Sequence, residues 1–372
     1  MAESTRLVDL VQAGIDGFLD DRRPILATIA PDLAPFVDYS RDLLKGGKRF
    51  RALFCYWGWQ AVSAGAGFDP LVDKPAADEL HSVVLAASAL EIFHAAALVH
   101  DDIIDNSDTR RGRPSAHRRF EALHREGGWT GSGRGFGQSA ALLLGDLLLG
   151  WSDELFDTGI RLIPSIATRE SAREVFNQMR TEVTVGQYLD ILDERAWRSF
   201  AEADQLSRAH RVIVYKSAKY SIEAPLVIGA TLGGGSPAQR AALREFGLPL
   251  GIAFQLRDDM LGVFGDPEIT GKPSGDDLRE GKRTVLIALA RTMLPANATR
   301  LLDELLGDPE LTQQQVSMLQ TSIRECGAVQ EVERIIEHNV RMALATLGAA
   351  PISSAARSQL VALADTVVKR AA

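Results

Sequence analysis

The chain has 372 residues, 46% hydrophobic and 24% charged, the proportions of a globular protein long enough to bury a sizeable core. Its formal net charge of −8 argues against a nucleic-acid partner, which needs a basic face, so any local basic cluster answers to a local anionic ligand. Cys55 and Cys326 stand far apart in apolar-periodic contexts, which excludes a disulfide framework or thiolate metal site and predicts two buried free thiols. A signal-peptide stretch and a run of about 18 uncharged apolar residues are both lacking, so a soluble, cytoplasmic chain without stable membrane insertion is expected.

Apolar residues recurring at i, i+3 and i+4 predict helices over 50–66, 78–104, 138–157, 170–193, 200–263 with breaks, 283–293, 311–325, 327–347 and 352–370. Punctuation is local: Pro24, Pro31 and Pro35 near the start, Gly46-Gly47, Pro114, Gly233-Gly234-Gly235 and Pro267. The glycine-rich segment 127–137 has no preceding strand and does not match a dinucleotide fingerprint; it reads as a surface loop or a mobile flap. No linker, composition shift or internal repeat divides the chain. The prediction is a single all-α domain over 1–372, an antiparallel helical bundle around a central active-site cavity.

The predicted helix 78–104 ends in an acidic cluster, Asp101-Asp102-Ile103-Ile104-Asp105. Asp101 and Asp105 are four apart, so they share a helix face with Cβ atoms roughly 5–6 Å apart. Like charges at that spacing destabilise a helix, and acids at its C-terminus oppose the macrodipole. Either a cation occupies the site or this is a solvated helix end paired with the arginines that follow, Arg110 and Arg111. Carboxylate-only ligation suits Mg²⁺, and the arginines suit phosphate oxygens.

A second apolar helix ends the same way, with Gln255, Asp258 and Asp259 followed by Lys272 and Lys282. Two such arrangements fit carboxylates that share metals bridging a diphosphate. Upstream, Gly46-Gly47-Lys48-Arg49-Phe50-Arg51 combines a backbone of close approach with cations for a phosphate that needs no metal, or is a solvated basic turn. His94, two turns before Asp101, shares its face; alone it would equally be a core histidine.

These motifs, in order along residues 40–290, resemble the trans-prenyltransferases, the polyprenyl diphosphate synthase family. They are Gly46–Arg51, Asp101–Asp105 with Arg110-Arg111-Gly112, Gly145-Asp146, Gly186-Gln187, Lys216-Ser217, Phe254-Gln255 with Asp258-Asp259, Gly271-Lys272 and Gly281-Lys282. The resemblance implies an all-α homodimer with three Mg²⁺ in a central cavity, acting on isopentenyl diphosphate and an allylic diphosphate (dimethylallyl, geranyl or farnesyl). By motif position Asp101, Asp105 and Asp258 are the implied metal ligands, supported by Asp102 and Asp259. Lys48, Arg51, His94 and Arg111 are the implied isopentenyl diphosphate site. Arg110, Lys216, Lys272 and Lys282 are the implied contacts to the allylic diphosphate, and Ser217 and Gln255 face the allylic cation. Two positions depart from the family pattern. Ser217 replaces threonine and keeps the hydroxyl. Gly262 stands where aspartate is common, leaving one carboxylate fewer, and Asp266 lies too far along a Gly-broken turn to replace it; Gly262→Asp is expected to be tolerated.

The expected reaction is ionisation, condensation and elimination. A terpene cyclase would need no second diphosphate site, and a non-catalytic partner subunit would be expected to have lost aspartates. Product length is read from the face below Asp101. Ala96 and Ala97 are small, and Phe93 is the first large ring, about 12 Å down at 1.5 Å per residue. With roughly 5 Å per isoprene unit, that floor predicts geranylgeranyl diphosphate, C20, over C15 or C30 and longer; the alternative is that Phe93 is core packing and another helix sets the floor.

Overall fold

A computed structural model describes residues 2–63, 77–266 and 274–369. Among these the only strands are two two-residue segments, Thr109–Arg110 and Arg113–Pro114, paired antiparallel. Everything else regular is helical, as the 3.6-residue periodicity requires. The chain forms two compact units, Met1–Arg173 with Ile228–Gly235, and Glu174–Val227 with Ser236–Ala372. Two of the three divisions fall within α7 (Ile166–Ala196) and α9 (Ala224–Leu232), and the third follows Gly235.

The first unit contains α1 (Ala2–Ile29), α2 (Ala34–Leu43), α3 (Phe50–Ser63), α4 (Ala77–Ile104), α5 (Ala116–Glu126) and α6 (Gly133–Arg161). Its axis is α4. Acidic Asp78 and Glu79 favour its N-terminus, and the residues that follow are apolar all round and buried, the pattern of a core helix. It is long and apolar enough to cross a membrane, but 83% of its most apolar window is buried inside the protein. Helix α6 lies along it through small residues at seven-residue spacing, Gly145, Ser152 and Gly159. Ser152 Oγ donates to the Ala89 carbonyl at 2.7 Å and Ser82 Oγ to the Gly159 carbonyl at 2.9 Å.

Several elements differ from the periodicity reading. Pro24 lies inside α1 instead of ending it. Proline removes one helical hydrogen bond, and the stripe Leu7, Val11, Ile15 and Leu19, each at most 1% exposed, holds the helix to the core regardless. Helices α1, α2 and α5 lie outside the predicted spans; α2 and α5 are short, and α5 is largely polar. The glycine-rich segment is only partly a loop, because Gly133–Gly137 form the first turns of α6, capped by Ser132 Oγ, which accepts from Gly135 N at 3.1 Å. Trp129 stacks edge-on against His124 and Phe136, with centroids 5.8 and 5.2 Å away, which ties the remaining loop down.

The second unit contains most of α7, α8 (Gln205–Val212), a π-helical segment (Ile213–Glu223), α10 (Pro237–Phe264), α11 (Asp276–Glu280), α12 (Val285–Met293), α13 (Ala296–Leu305), α14 (Gln313–Glu325), α15 (Ala328–Ala349) and α16 (Ser354–Val368). Capping boxes begin α10 (Ser236 with Gln239) and α14 (Thr312 with Gln315). Its core includes Leu256, Leu286, Val316, Ile323, Val332 and Ile336; full burial contributes about 1.5–3 kcal/mol per side chain. Arg257 of α10 makes a two-pronged contact to Glu333 of α15 at 2.6 and 2.7 Å. Cys55 is buried and Cys326 half-buried, both free thiols; burial pushes the Cys55 thiol up to about 12.

Candidate active site

In the first unit the acidic cluster closes α4. Asp105 N donates to Asp101 O at 2.8 Å and Ser107 N to Asp102 O at 2.9 Å, after which Asn106 turns the chain in a left-handed conformation, φ 53°. The two adjacent acids divide their roles. The Asp102 side chain is 1% exposed and receives Arg110 Nε at 2.9 Å and Nη2 at 2.5 Å, whereas Asp101, 23% exposed, meets Arg110 Nη2 at 3.3 Å. Asp102 therefore anchors the arginine while Asp101 stays partly exposed.

Arg110 is delivered by the short hairpin. Its turn residues Arg111 and Gly112 have φ 52° and 70°, the left-handed pair of a type I′ turn. Among the described residues the non-glycine positions with positive φ are Arg49, Asn106 and Arg111; Arg49 and Arg111 lie inside the predicted motifs and Asn106 directly follows one. A left-handed non-glycine residue costs roughly 1–2 kcal/mol, and such strain collects at functional sites.

The basic motif folds against this hairpin. A side chain on Gly47, itself at φ 90°, would begin 3.4 Å from the Arg111 guanidinium. Arg49 turns inward, giving Nη1 to Glu91 Oε2 at 3.1 Å and Nη2 to Gln12 Oε1 at 2.6 Å and to the Leu44 carbonyl. Its motif neighbours are left facing elsewhere, with Lys48 Nζ 6.0 Å from the Phe50 ring centroid. His94 on α4 is held neutral: burial first, then repulsion from Arg51, Arg111, Arg110 and Arg49, keeps it well below the usual imidazole range. Four arginines act on this neutral imidazole, and with Arg49 engaged by Glu91 the others make the region around His94 attractive to anions. It unites Arg51, His94, Arg110 and Arg111, which the sequence could associate only by motif. Six residues beyond His94 on α4, His100 packs on the Gly145 backbone and reaches Asp146 at 3.5 Å.

In the second unit Asp258 is exposed and Asp259 buried. Burial pushes Asp259 up to about 7; the Gln255 hydrogen bond opposes this, Asp258 and Asp190 add to it, and Lys216 lowers it. Gln255 Nε2 donates to Asp259 Oδ1 at 2.7 Å. Lys216 and Ser217 ride on the π-helical segment, a form common at functional sites. Two glycines admit its backbone: a Cβ on Gly186 of α7 would sit 2.5 Å from Lys216 N, and one on Gly251 of α10 would sit 2.5 Å from Ala218 O. Lys216 Nζ thereby reaches Asp190 Oδ2 at 2.5 Å, and Lys282 Nζ lies 3.5 Å from the same oxygen and 2.7 Å from Glu194 Oε1. Lys272 lies outside the described residues. A Cβ on Gly262 would sit 2.0 Å from Asp277 Oδ2, so Gly262→Asp meets occupied, like-charged space and is not the tolerated change the motif pattern suggests.

Among the described residues no three His, Cys, Asp or Glu side chains gather closely enough to hold an ion alone. Solvent-reached carboxylates such as Asp101 and Asp258 have the chemistry to fit a hard divalent cation that completes its shell with phosphate oxygens.

A family model described as polyprenyl synthetase matches residues 35–323, well over half the chain. The chain belongs to the polyprenyl synthetase family. It is a prenyltransferase, similar to the short chain isoprenyl diphosphate synthase of Methanothermobacter thermautotrophicus, at 31% identity over 87% of this chain and 87% of that one. It is also similar to the geranylgeranyl diphosphate synthase of Mycobacterium tuberculosis, at 28% identity over 95% and 89% of the two chains. Among solved structures, geranylgeranyl pyrophosphate synthase from Corynebacterium glutamicum, complexed with isoprenyl diphosphate and magnesium, matches with a TM-score of 0.89 at 39% identity, over 98% of this chain and 99% of that one. The all-α isoprenoid synthase fold expected from periodicity and motifs is thus the family's fold.

Sequence reasoning missed Arg49 and Glu91 as the anchor of the basic motif, and Asp190 and Glu194 as the acids that gather the lysines. The signal for the last two was present: Gly186, Asp190 and Glu194 follow one another at four-residue intervals on one face of α7.

Proposed function

We propose that this prenyltransferase joins isopentenyl diphosphate head-to-tail to an allylic diphosphate and that its main product is geranylgeranyl diphosphate. The observation that carries the reading is the basic region of Arg51, Arg110 and Arg111 about neutral His94: a metal-free diphosphate site beside the first acidic cluster is what a two-diphosphate condensation requires and what a cyclase can do without. We assign the isopentenyl diphosphate to Lys48, Arg51, His94 and Arg111, and the allylic diphosphate to Arg110, Lys216, Lys272 and Lys282. Asp101, Asp105 and Asp258 hold the divalent metal, with Asp102 and Asp259 fixing their surroundings. When bound, Mg²⁺, in three sites, neutralises the leaving diphosphate and draws electron density from its C–O bond.

The chain's own groups do the rest. Lys216 and Lys282 exchange Asp190 and Glu194 for the diphosphate oxygens and stabilise the charge that develops as the allylic C–O bond breaks and its electron pair leaves with the diphosphate. Ser217 and the Gln255 amide place oxygen dipoles toward the allylic cation. Neutral His94 donates a hydrogen bond without adding charge, and with the arginines it orients isopentenyl diphosphate so that its terminal alkene carbon forms the new C–C bond. The proton lost from the adjacent carbon passes to the departing diphosphate, so no side-chain base is needed. We take residues 1–372 to work as one catalytic domain in a cytoplasmic homodimer. The test is diphosphate release from the two substrates with and without Mg²⁺, with the product separated by chromatography; no release, or release without isopentenyl incorporation, rejects the reading.

A further inference from the structure

Two pairs of neighbouring residues near Lys282 send their side chains apart. On α7, Glu194 reaches Lys282 Nζ at 2.7 Å, while Asp193 accepts Arg208 Nε of α8 at 2.8 Å. In the irregular stretch before α12, Lys282 faces Asp190 and Glu194, while Arg283 gives Nη1 to Asp303 Oδ1 of α13 at 3.2 Å. One member of each pair thus belongs to the lysine site. The other members, Asp193 and Arg283, line one small cavity with Trp197, Phe200 and Arg291, a cavity that Glu194 and Lys282 do not line.

Arg283 is clamped there. Its guanidinium lies 3.7 Å from the Trp197 ring centroid, and its side chain is only 10% exposed. Asp303 is held in turn by Arg291, whose Nε and Nη2 reach its two oxygens at 2.8 Å each. Arg291 Nη1 donates to Gln205 Oε1, and its guanidinium lies 5.0 Å from the same Trp197 ring. Residues of α8, α12, α13 and the turn at Trp197 converge on one guanidinium.

Stability alone does not explain this arrangement. Two arginines share one aspartate, and Arg283 Nε has no hydrogen-bond partner among the described residues. Burial pushes the Arg283 guanidinium down to about 10; Asp303 opposes this, and Arg291 and Arg198 add to it. An apolar cluster of the same volume is often as stable as a buried ionic one, or more so. What the ionic cluster supplies is a fixed place for the backbone beside Lys282. Thr284 holds the next residue, its Oγ1 accepting from Ile287 N at 3.4 Å to cap α12. Lysine carries its charge on a flexible four-carbon stem, so where the ammonium stands depends on where that backbone is held.

We infer that Arg283, clamped by Asp303 and the Trp197 ring, is a positioning residue that sets where the Lys282 ammonium meets the allylic diphosphate. The inference rests on the assignment of Lys282 to that diphosphate.

The test is a double-mutant cycle in the full chain with Mg²⁺, with KM measured separately for geranyl diphosphate and isopentenyl diphosphate. Arg283→Gln leaves Asp303 paired with Arg291, so it strands no carboxylate. It is expected to raise KM for geranyl diphosphate by about 10- to 10²-fold, the scale of an ångström-sized misplacement. KM for isopentenyl diphosphate should stay within about 2-fold. On a Lys282→Ala background the same substitution should change KM for geranyl diphosphate by less than about 2-fold, because the group it positions is gone. Trp197→Leu removes the ring and keeps the ion contact; it should repeat both results, and it carries the test if Arg283→Gln does not fold. A folded Arg283→Gln chain with the wild-type KM, or a loss just as large without Lys282, overturns this inference alone. Loss of folding in both Arg283→Gln and Trp197→Leu does the same, since the cluster would then be purely structural. A Lys282→Ala chain with an unchanged KM for geranyl diphosphate overturns the assignment of Lys282 and the inference with it.

Discussion

The Arg49 guanidinium lies 3.1 Å from the Glu91 carboxylate, and the two side chains are only 4% and 6% exposed. Glu91 also accepts the Ala52 backbone N–H at 3.3 Å, so one buried pair ties the basic loop to α3 and α4 together. Its partner loss is expected to be severe: Arg49→Met leaves a buried carboxylate uncompensated, at a cost of about 3–5 kcal/mol. Arg49→Met/Glu91→Leu should recover most of that stability in urea unfolding. A single variant as stable as the wild type would show the pair to be dispensable.

His94 gives a pH dependence of known sign. Its folded value lies well below its ordinary 6.5, so below that pH the unfolded chain binds a proton that the folded chain refuses. Stability is complete above pH 6.5 and falls as the pH drops toward the folded value, by at most about 1.4 kcal/mol per pH unit from this group. The groups around it are the cations Arg49, Arg51, Arg110 and Arg111. His94→Gln should flatten that part of the acid limb, and the His94 ring signal in NMR should stay put from pH 8 to well below 6.5. A ring that titrates at 6.5 contradicts the four-arginine environment.

Catalysis should depend on the open carboxylates. Asp101→Ala, Asp105→Ala and Asp258→Ala are each expected to lower kcat by at least about 10²-fold, the scale of losing one strong electrostatic contact. Near-normal turnover in a folded Asp101→Ala enzyme would remove the basis of the metal assignment.

The two diphosphate sites should separate kinetically. Arg111→Ala should raise KM for isopentenyl diphosphate more than for the allylic partner, and Lys282→Ala, which empties the group shared by Asp190 and Glu194, should do the reverse. Equal responses from both substrates would show that the residues are wrongly divided between the sites.

Product length should respond on the face of α4 below Asp101. Phe93 is 4% exposed and Ala96 fully buried, whereas Ala97 keeps open surface. Ala97 is therefore the better position for a bulky ring, since one at Ala96 would overpack the core at a cost of about 1–3 kcal/mol. Ala97→Phe is expected to shorten the main product toward C15 and Phe93→Ala to lengthen it past C20, read by chromatography. An unmodified enzyme making mainly C30 or longer chains contradicts a floor at Phe93.

Local pattern was enough for much of this protein. The periodicity of Val83–Val99 marks a buried helix because burial on every side demands apolar residues on every side, and Asp101, Asp105, Asp258 and the basic motif are visible because their chemistry sits within a few residues of sequence. The hairpin at Arg110 and the π-helical segment at Lys216 were not visible. Both depend on what packs against them: Asp102 on one, Gly186 and Gly251 on the other. The same holds for Arg49 with Glu91, Asp190 with two lysines, and Asp277 against Gly262, pairs separated by tens of residues or by a turn of chain that periodicity does not orient. The sequence determined which charges this protein carries and on which helices, because helix formation and helical facing are local. Only the tertiary structure decided which charges answer one another, because a carboxylate's partner, its burial and hence its protonation are set by whatever the fold brings within a few ångströms.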